Sequence, residues 1–172
     1  MFGDPSKDAQ NLVGLCREAE IQFPNFYFKS KTNPLPENRF SGIFISTPTM
    51  RTEYKKYNNL LIIDTTFGTN RFKLPLMLGT MVNNMGRTVL AFFALVASET
   101  IDEFNWVFTC FMECFEVAPA NVMTDECQSF AAAIKNKLKD SEHFICGWHK
   151  ENTIKRNMSN KGCFKYKTSK RM

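Results

Sequence analysis

Apolar and polar positions follow two different periods along this chain, and the switches between them lay out its elements. Residues 60–63 are Leu-Leu-Ile-Ile, a continuous apolar run that ends in Asp64. Such a run suits a central strand covered on both faces. Residues 73–82 and 88–97 predict two more strands, joined by the tight connector Asn83-Asn84-Met85-Gly86. Three strands in succession imply an antiparallel meander. The period then lengthens. Phe104, Val107, Phe108, Phe111 and Phe115 recur at helical spacing. They follow Thr100-Ile101-Asp102-Glu103, which has capping-box spacing. The pattern predicts a helix over 101–117, ended near Pro119. Residues 120–124 read as a short strand running into Asp125. A second helix follows over 126–138, with Phe130, Ile134 and Leu138 on one face, and residues 143–146 make a fifth strand. From Gly147 the chain is expected to be helical at first and then loose.

Upstream of this block, residues 5–21 suit a short amphipathic helix. Phe23 to Lys31 and Arg39 to Ser46 read as strands around the turn-rich connector Asn33-Pro34-Leu35-Pro36-Glu37-Asn38. Thr47-Pro48 then opens a helix to about Tyr57, with threonine as cap and proline in the first turn. The chain thus divides into an N-terminal extension (1–56), a core (57–152) and a tail (153–172). The core order is β-β-β-α-β-α-β. A strand after a long helix usually returns parallel to an earlier one through a right-handed crossover. The expected fold is therefore α/β, with a five-stranded mixed sheet in the order 3-2-1-4-5 flanked by helices. In that order Asp64 and Asp125 come from adjacent strands, toward the same end.

Composition narrows the function classes. The 172 residues suit one domain, and 44% hydrophobic content, with seventeen phenylalanines, excludes a disordered chain. No apolar run reaches membrane-span length, and the first residues do not read as a signal peptide. Six cysteines form no CxxC pair, which points to a reduced, intracellular setting. Cys110 and Cys114, one turn apart on a predicted helix, read as core filler. Charge is unevenly placed. Residues 50–149 carry nine basic and eleven acidic side chains, whereas residues 150–172 carry eight basic and one acidic. Lys155, Arg156, Lys161, Lys165 and Lys167 in that tail could hold nucleic-acid phosphates by releasing counterions; the alternative is a solvated end.

Two carboxylates held close together repel unless a cation neutralises them. Mg²⁺ takes a few carboxylates together with water and phosphate oxygens. Two such ions about 4 Å apart can stabilise the attacking and leaving oxygens of a phosphodiester displacement. This is the functional reading of Asp64 and Asp125; the plainer one is that each caps a turn or helix. Cys146 and His149, at Cys-x-x-His spacing, could supply two Zn²⁺ ligands. His143 and Cys163 could join them, but nothing in their spacing demands it. The plainer reading is an imidazole and a thiol packed with Trp148. Phe67 reads as core rather than as a base-stacking residue, Asn70 as a turn closer rather than a DNA contact, and Met77, Met81 and Met85 as packing rather than a metal or ligand box.

The motifs occur in a specific order. Ile62-Ile63-Asp64-Thr65-Thr66-Phe67-Gly68-Thr69-Asn70 resembles the first catalytic-aspartate motif of Mutator-like element (MULE) transposases. Leu78-Gly79, Gly86, Phe93-Ala94-Leu95, Glu99-Thr100 and Phe104-x-Trp106 match downstream. Pro119 with Val122-Met123-Thr124-Asp125 resembles the second aspartate motif. Ala133-Ile134 and His143-x-x-Cys146-x-Trp148-His149 follow. The resemblance covers about residues 57–152 and extends to transcription factors of the far-red-impaired-response type. It implies an RNase H-like fold, incomplete at the C-terminus, and a DDE triad working with two Mg²⁺ (or Mn²⁺) ions on DNA in the nucleus. Asp64 and Asp125 correspond to its first two members, and self-association is allowed. The third member is a glutamate well beyond the Cys-Trp-His motif, after a helical insertion. Glu126 abuts Asp125 and Glu151 comes too early, so neither matches. The resemblance therefore implies a DDE transposase catalytic-domain fragment. The alternatives are a domesticated DNA-binding regulator without the chemistry, and an unrelated α/β domain whose aspartates are caps.

Overall fold

A computed structural model describes residues 7–33 and 39–160 of the chain. Helix α1 (Asp8–Gln22) precedes strands β1 (Tyr27–Thr32) and β2 (Phe40–Ser46), then helix α2 (Pro48–Tyr57). The meander is β3 (Leu60–Thr66), β4 (Leu76–Val82) and β5 (Thr88–Leu95). Helix α3 (Ile101–Phe115), β6 (Asn121–Thr124), α4 (Gln128–Lys137), β7 (Glu142–Ile145) and α5 (Gly147–Asn160) complete the order.

Among the described residues one mixed sheet runs β1-β2-β5-β4-β3-β6-β7. It has seven strands where five were expected. The extra pair joins through β2, which lies antiparallel to β5 with Ile43 opposite Leu95 and Ile45 opposite Phe93. The reason is legible in β2 itself: Ile43, Phe44 and Ile45 are all buried, so both its faces are covered. A strand of that kind belongs inside a sheet, with β1 taking the edge. Edge strand β1 carries Lys29 and Lys31, charges that discourage further strand pairing.

Helices α2, α3 and α4 cover one face. There Leu61, Ile63, Met77, Phe92 and Val122 meet the apolar stripe Phe104, Val107, Phe108 and Phe111, all fully buried. Phe104 stacks on Phe130 at 4.1 Å between ring centroids, which joins α3 to α4. Helix α1 covers part of the other face through Leu12, Val13 and Cys16 against Ile43, Ile45, Phe93 and Leu95.

Several boundaries differ from expectation for local reasons. Strand β1 starts at Tyr27, because the Phe23 amide still donates to Ala19 O and Asn25 turns the chain with φ 68°. Residues 73–75 stay outside β4, held in a loop where Lys73 has φ 56°. Helix α3 ends at Phe115, capped by a left-handed Glu116 with φ 63°, before Pro119 is reached. The capping box at Thr100 is only half made. Thr100 Oγ1 accepts from the Glu103 amide, but the Glu103 carboxylate instead accepts from Ala97 N and pairs with Lys31 at 2.5 Å. Met77 and Met81 are core, whereas Met85 is exposed at the hairpin tip.

Candidate functional site

Strands β3 and β6 are parallel neighbours with Leu60 opposite Asn121, Leu61 opposite Val122 and Ile62 opposite Met123. Continuing that register two residues toward the strand ends sets Asp64 across from Asp125. Strand β7 extends the row: Thr124 pairs with Ile145, and the Cys146 amide donates to Thr124 O at 2.7 Å. The C-terminal ends of three parallel strands thus direct Asp64, Asp125 and Cys146 to the same end of the sheet.

On β3, Leu61 and Ile63 point into the α3 core, so Ile62 and Asp64 alternate onto the opposite face. Asp64 lies opposite Leu78, Leu78 opposite Phe93, and Phe93 opposite Ile45. The aspartate therefore ends an apolar row that α1 covers at its far end. Its side chain is 51% exposed, and its one described polar neighbour is His149 Nε2 at 4.0 Å. That is too long for a hydrogen bond. Among the described residues, no hydrogen bond to the carboxylate is found.

Asp125 is differently employed. Its Oδ1 accepts from the Cys127 amide at 3.1 Å, which makes a turn ahead of α4. This displaces the helix start to Gln128 and leaves Cys127 as the N-cap without a side-chain bond. The carboxylate is thus anchored by one oxygen. A group anchored this way is well placed to offer the other to a ligand.

Helix α5 opens straight after β7 and carries the Cys-x-x-His pair. Cys146 is half-buried and Trp148 is exposed, with its ring edge-on to His149 at 4.8 Å. His149 Nδ1 is buried without a hydrogen-bond partner. His143 points elsewhere: its Nε2 lies 2.9 Å from Thr124 Oγ1, and burial holds its pKa below the ordinary imidazole value. Cys163 lies outside the described residues. Among those described, no group of three or more His, Cys, Asp or Glu side chains is arranged to hold a metal. Glu99 accepts a hydrogen bond from Thr65 Oγ1, next to Asp64 in sequence but on the α3 side of the sheet.

Of the basic positions, Lys155 and Arg156 stand exposed on α5, with Lys155 paired to Glu151 at 2.5 Å. Lys161, Lys165 and Lys167 lie outside the described residues. Phe67 is not core: it is 61% exposed in the β3–β4 loop. Asn70 does close that loop, accepting from the Phe72 and Leu74 amides and donating to Leu74 O. The loop's remaining side chains, Arg71, Phe72 and Lys73, interleave aromatic and basic groups, a sequence signal that periodicity passes over.

The sequence profile that matches residues 60–153 is that of a transposase-derived domain. The chain belongs to that family, the MULE transposase domain family. Its relatives include three proteins of Arabidopsis thaliana. FAR-RED IMPAIRED RESPONSE 1 is 27% identical over 143 residues, or 83% of this chain and 17% of that protein. FAR1-RELATED SEQUENCE 5 is 25% identical over 143 residues, or 83% of this chain and 18% of the relative. FAR1-RELATED SEQUENCE 6 is 25% identical over 119 residues, or 69% and 16% respectively. The chain thus spans less than a fifth of the length of these relatives. No described helix is long and apolar enough to cross a membrane.

Proposed function

We propose that this chain carries an RNase H-like, DDE-type domain acting on DNA in the nucleus, with Asp64 and Asp125 as two of its divalent-cation ligands. The observation that supports the reading is the parallel β3–β6 register, Ile62 opposite Met123, whose continuation by two residues would bring the two carboxylates side by side. The donors fit Mg²⁺ or Mn²⁺, which prefer oxygen. Asp64 is exposed and without a hydrogen bond, and Asp125 is braced by Cys127 N through one oxygen. Such an ion would supply Lewis-acid stabilisation of charge on phosphate oxygens. The protein's own part is to hold the carboxylates in register, to brace Asp125 from its turn, and to place His149 beside Asp64. The Cys146–His149 pair serves this site as a packing element at the start of α5 rather than as a zinc site.

A second reading is a regulator that keeps the fold without strand cleavage. It is favoured by the finding that no three His, Cys, Asp or Glu side chains among the described residues are arranged to hold a metal. One pair of measurements separates the two. Mn²⁺ titration should show binding that Asp64→Asn and Asp125→Asn each weaken by at least the roughly 10- to 100-fold typical of disturbed metal sites. The Tm of Asp64→Asn should move by no more than about 2 °C, because its carboxylate is exposed and unbonded. Mn²⁺-dependent nicking of DNA, lost in both variants, supports the nuclease. DNA binding without Mn²⁺ binding or nicking selects the regulator.

A further inference from the structure

The β3–β4 loop and a neighbouring cleft share an end and a face of the sheet with Asp64. The cleft, about 1150 Å³, lies between α1 and the strand ends. Its apolar floor includes Leu12 and Leu95, and its walls carry Phe40, Phe72, Arg17 and Arg39. Leu95 ends β5 and Phe40 begins β2, the same sheet end at which β3 delivers Asp64. From β3 to β2 is three strand steps, about 14 Å at the usual spacing.

Three features give the groove its chemistry. Phe67 and Phe72 are 61% and 55% exposed, although ordinary packing would bury rings of that size. Their loop is built rather than slack: Asn70 braces it from within, Arg71 pairs with Asp8 of α1, and the Arg71 guanidinium lies 4.9 Å from the Phe72 ring centre. The charge is one-sided. Asp8, the one acid among the described lining residues, is already paired with Arg71, while Arg17, Arg39 and the nearby Lys73 have no ion-pair partner among the described residues. An exposed Phe72 ring beside Arg17 and Arg39 over an apolar floor, with Phe67 exposed in the same loop, matches a nucleic-acid strand whose bases are unstacked, not a duplex whose bases are hidden.

We propose that the β3–β4 loop and this cleft form a groove for single-stranded DNA, with Phe67 and Phe72 stacking bases and Arg17 and Arg39 holding phosphates. The choice of DNA, and a path leading away from Asp64, rest on the nuclease reading above; the chemistry of the groove does not. The groove would receive the unpaired flank of a strand whose neighbouring phosphate sits at the aspartates.

The test uses the whole chain in EDTA, so that no divalent ion takes part. The probe is a single-stranded oligonucleotide of about 12 nucleotides carrying 2-aminopurine. Binding should quench the probe, and the single strand should bind more tightly than a duplex of the same sequence. Phe72→Ala and Phe67→Ala should each weaken binding about fivefold or more and relieve the quench. Phe72→Trp should restore both. The Arg17→Gln/Arg39→Gln double variant should flatten the dependence of log K on log salt by roughly 0.7 per phosphate no longer neutralised. These side chains are exposed, so the variants should melt with the wild type; if one phenylalanine variant fails to fold, the other and the arginine pair carry the test. Wild-type affinity in both alanine variants, or equal binding of the duplex, overturns the proposal. Loss of Mn²⁺ binding with an intact groove would sink the nuclease reading alone, and the reverse would sink the groove alone.

Discussion

His143 shows how a single side chain near the strand ends can set acid stability. Burial disfavours its charged form, and its Nε2 lies against Thr124 Oγ1. In the unfolded chain the imidazole takes up its proton around pH 6.5. In the folded chain it does so at lower pH. The unfolded state therefore binds more protons between those values, and stability rises with pH across them. The contribution is complete above about pH 6.5 and is lost as pH falls through the folded value. Calorimetric melting of the wild type and of His143→Gln should accordingly converge as pH drops from about 7.5 toward 5. Curves that stay parallel would assign the acid sensitivity to other groups. Single residues differ in how far their sequence context reveals their place. Cys110 and Cys114 were legible as core because their helix is apolar around them; burial pushes their thiols up to about 12 and about 11. Phe67 was not, because residue type alone favours the interior. What exposes it is the loop that Asn70 ties together, and side-chain-to-backbone bonds of that kind leave no period to read.

At the scale of elements, two glycines make opposite predictions. Gly79 sits in β4 beneath the Phe92 ring, and a Cβ there would meet the ring at 2.1 Å. That ring cannot swing aside: it is fully buried, stacked on Phe44 at 4.9 Å and edge-on to Phe111 at 5.7 Å. Gly79→Ala should therefore cost about 1–3 kcal/mol by overpacking. At this chain length that lowers Tm by several degrees, at about 2–4 °C per kcal/mol. Gly14 lies inside α1, with nothing within 4 Å of its added Cβ. Gly14→Ala should raise stability by about 0.5–1 kcal/mol, because alanine loses less backbone freedom in a helix. Thermal melts of the two variants should move in opposite directions, and a shared direction would refute the packing argument. The elements themselves were readable where one period dominates, as in the apolar stripe of α3 or the run ending at Asp64. The membership of β2 in the main sheet was not. Its apolar faces signal an interior strand, but the identity of the neighbour depends on β5, about fifty residues away in sequence. Local pattern carries no information about such a pairing, which is why five strands were expected and seven are found.

At the scale of the molecule, charge and architecture are separated along the chain. The central hundred residues are slightly acidic, whereas residues 150–172 carry eight basic side chains and one acidic. A cation that already has an acidic partner contributes less to phosphate binding than one that does not. Lys155, paired with Glu151, is the weaker member of the set; Arg156 is exposed on the same helix. If the tail grips duplex backbone while the loop groove takes an unpaired strand, the two should respond differently to one set of changes. Converting Lys155, Arg156, Lys161, Lys165 and Lys167 to glutamine should flatten the salt dependence of duplex binding by roughly 0.9 for each phosphate left without its cation. Lys155→Gln alone should change it least. The same five changes should leave 2-aminopurine quenching by Phe67 and Phe72 in place, since stacking depends on the rings and not on those charges. Salt titrations by fluorescence anisotropy, with duplex and single-stranded probes in parallel, measure both slopes. An unaltered duplex slope would remove the tail from the DNA interface and leave phosphate binding to the sheet end, where Arg17 and Arg39 stand.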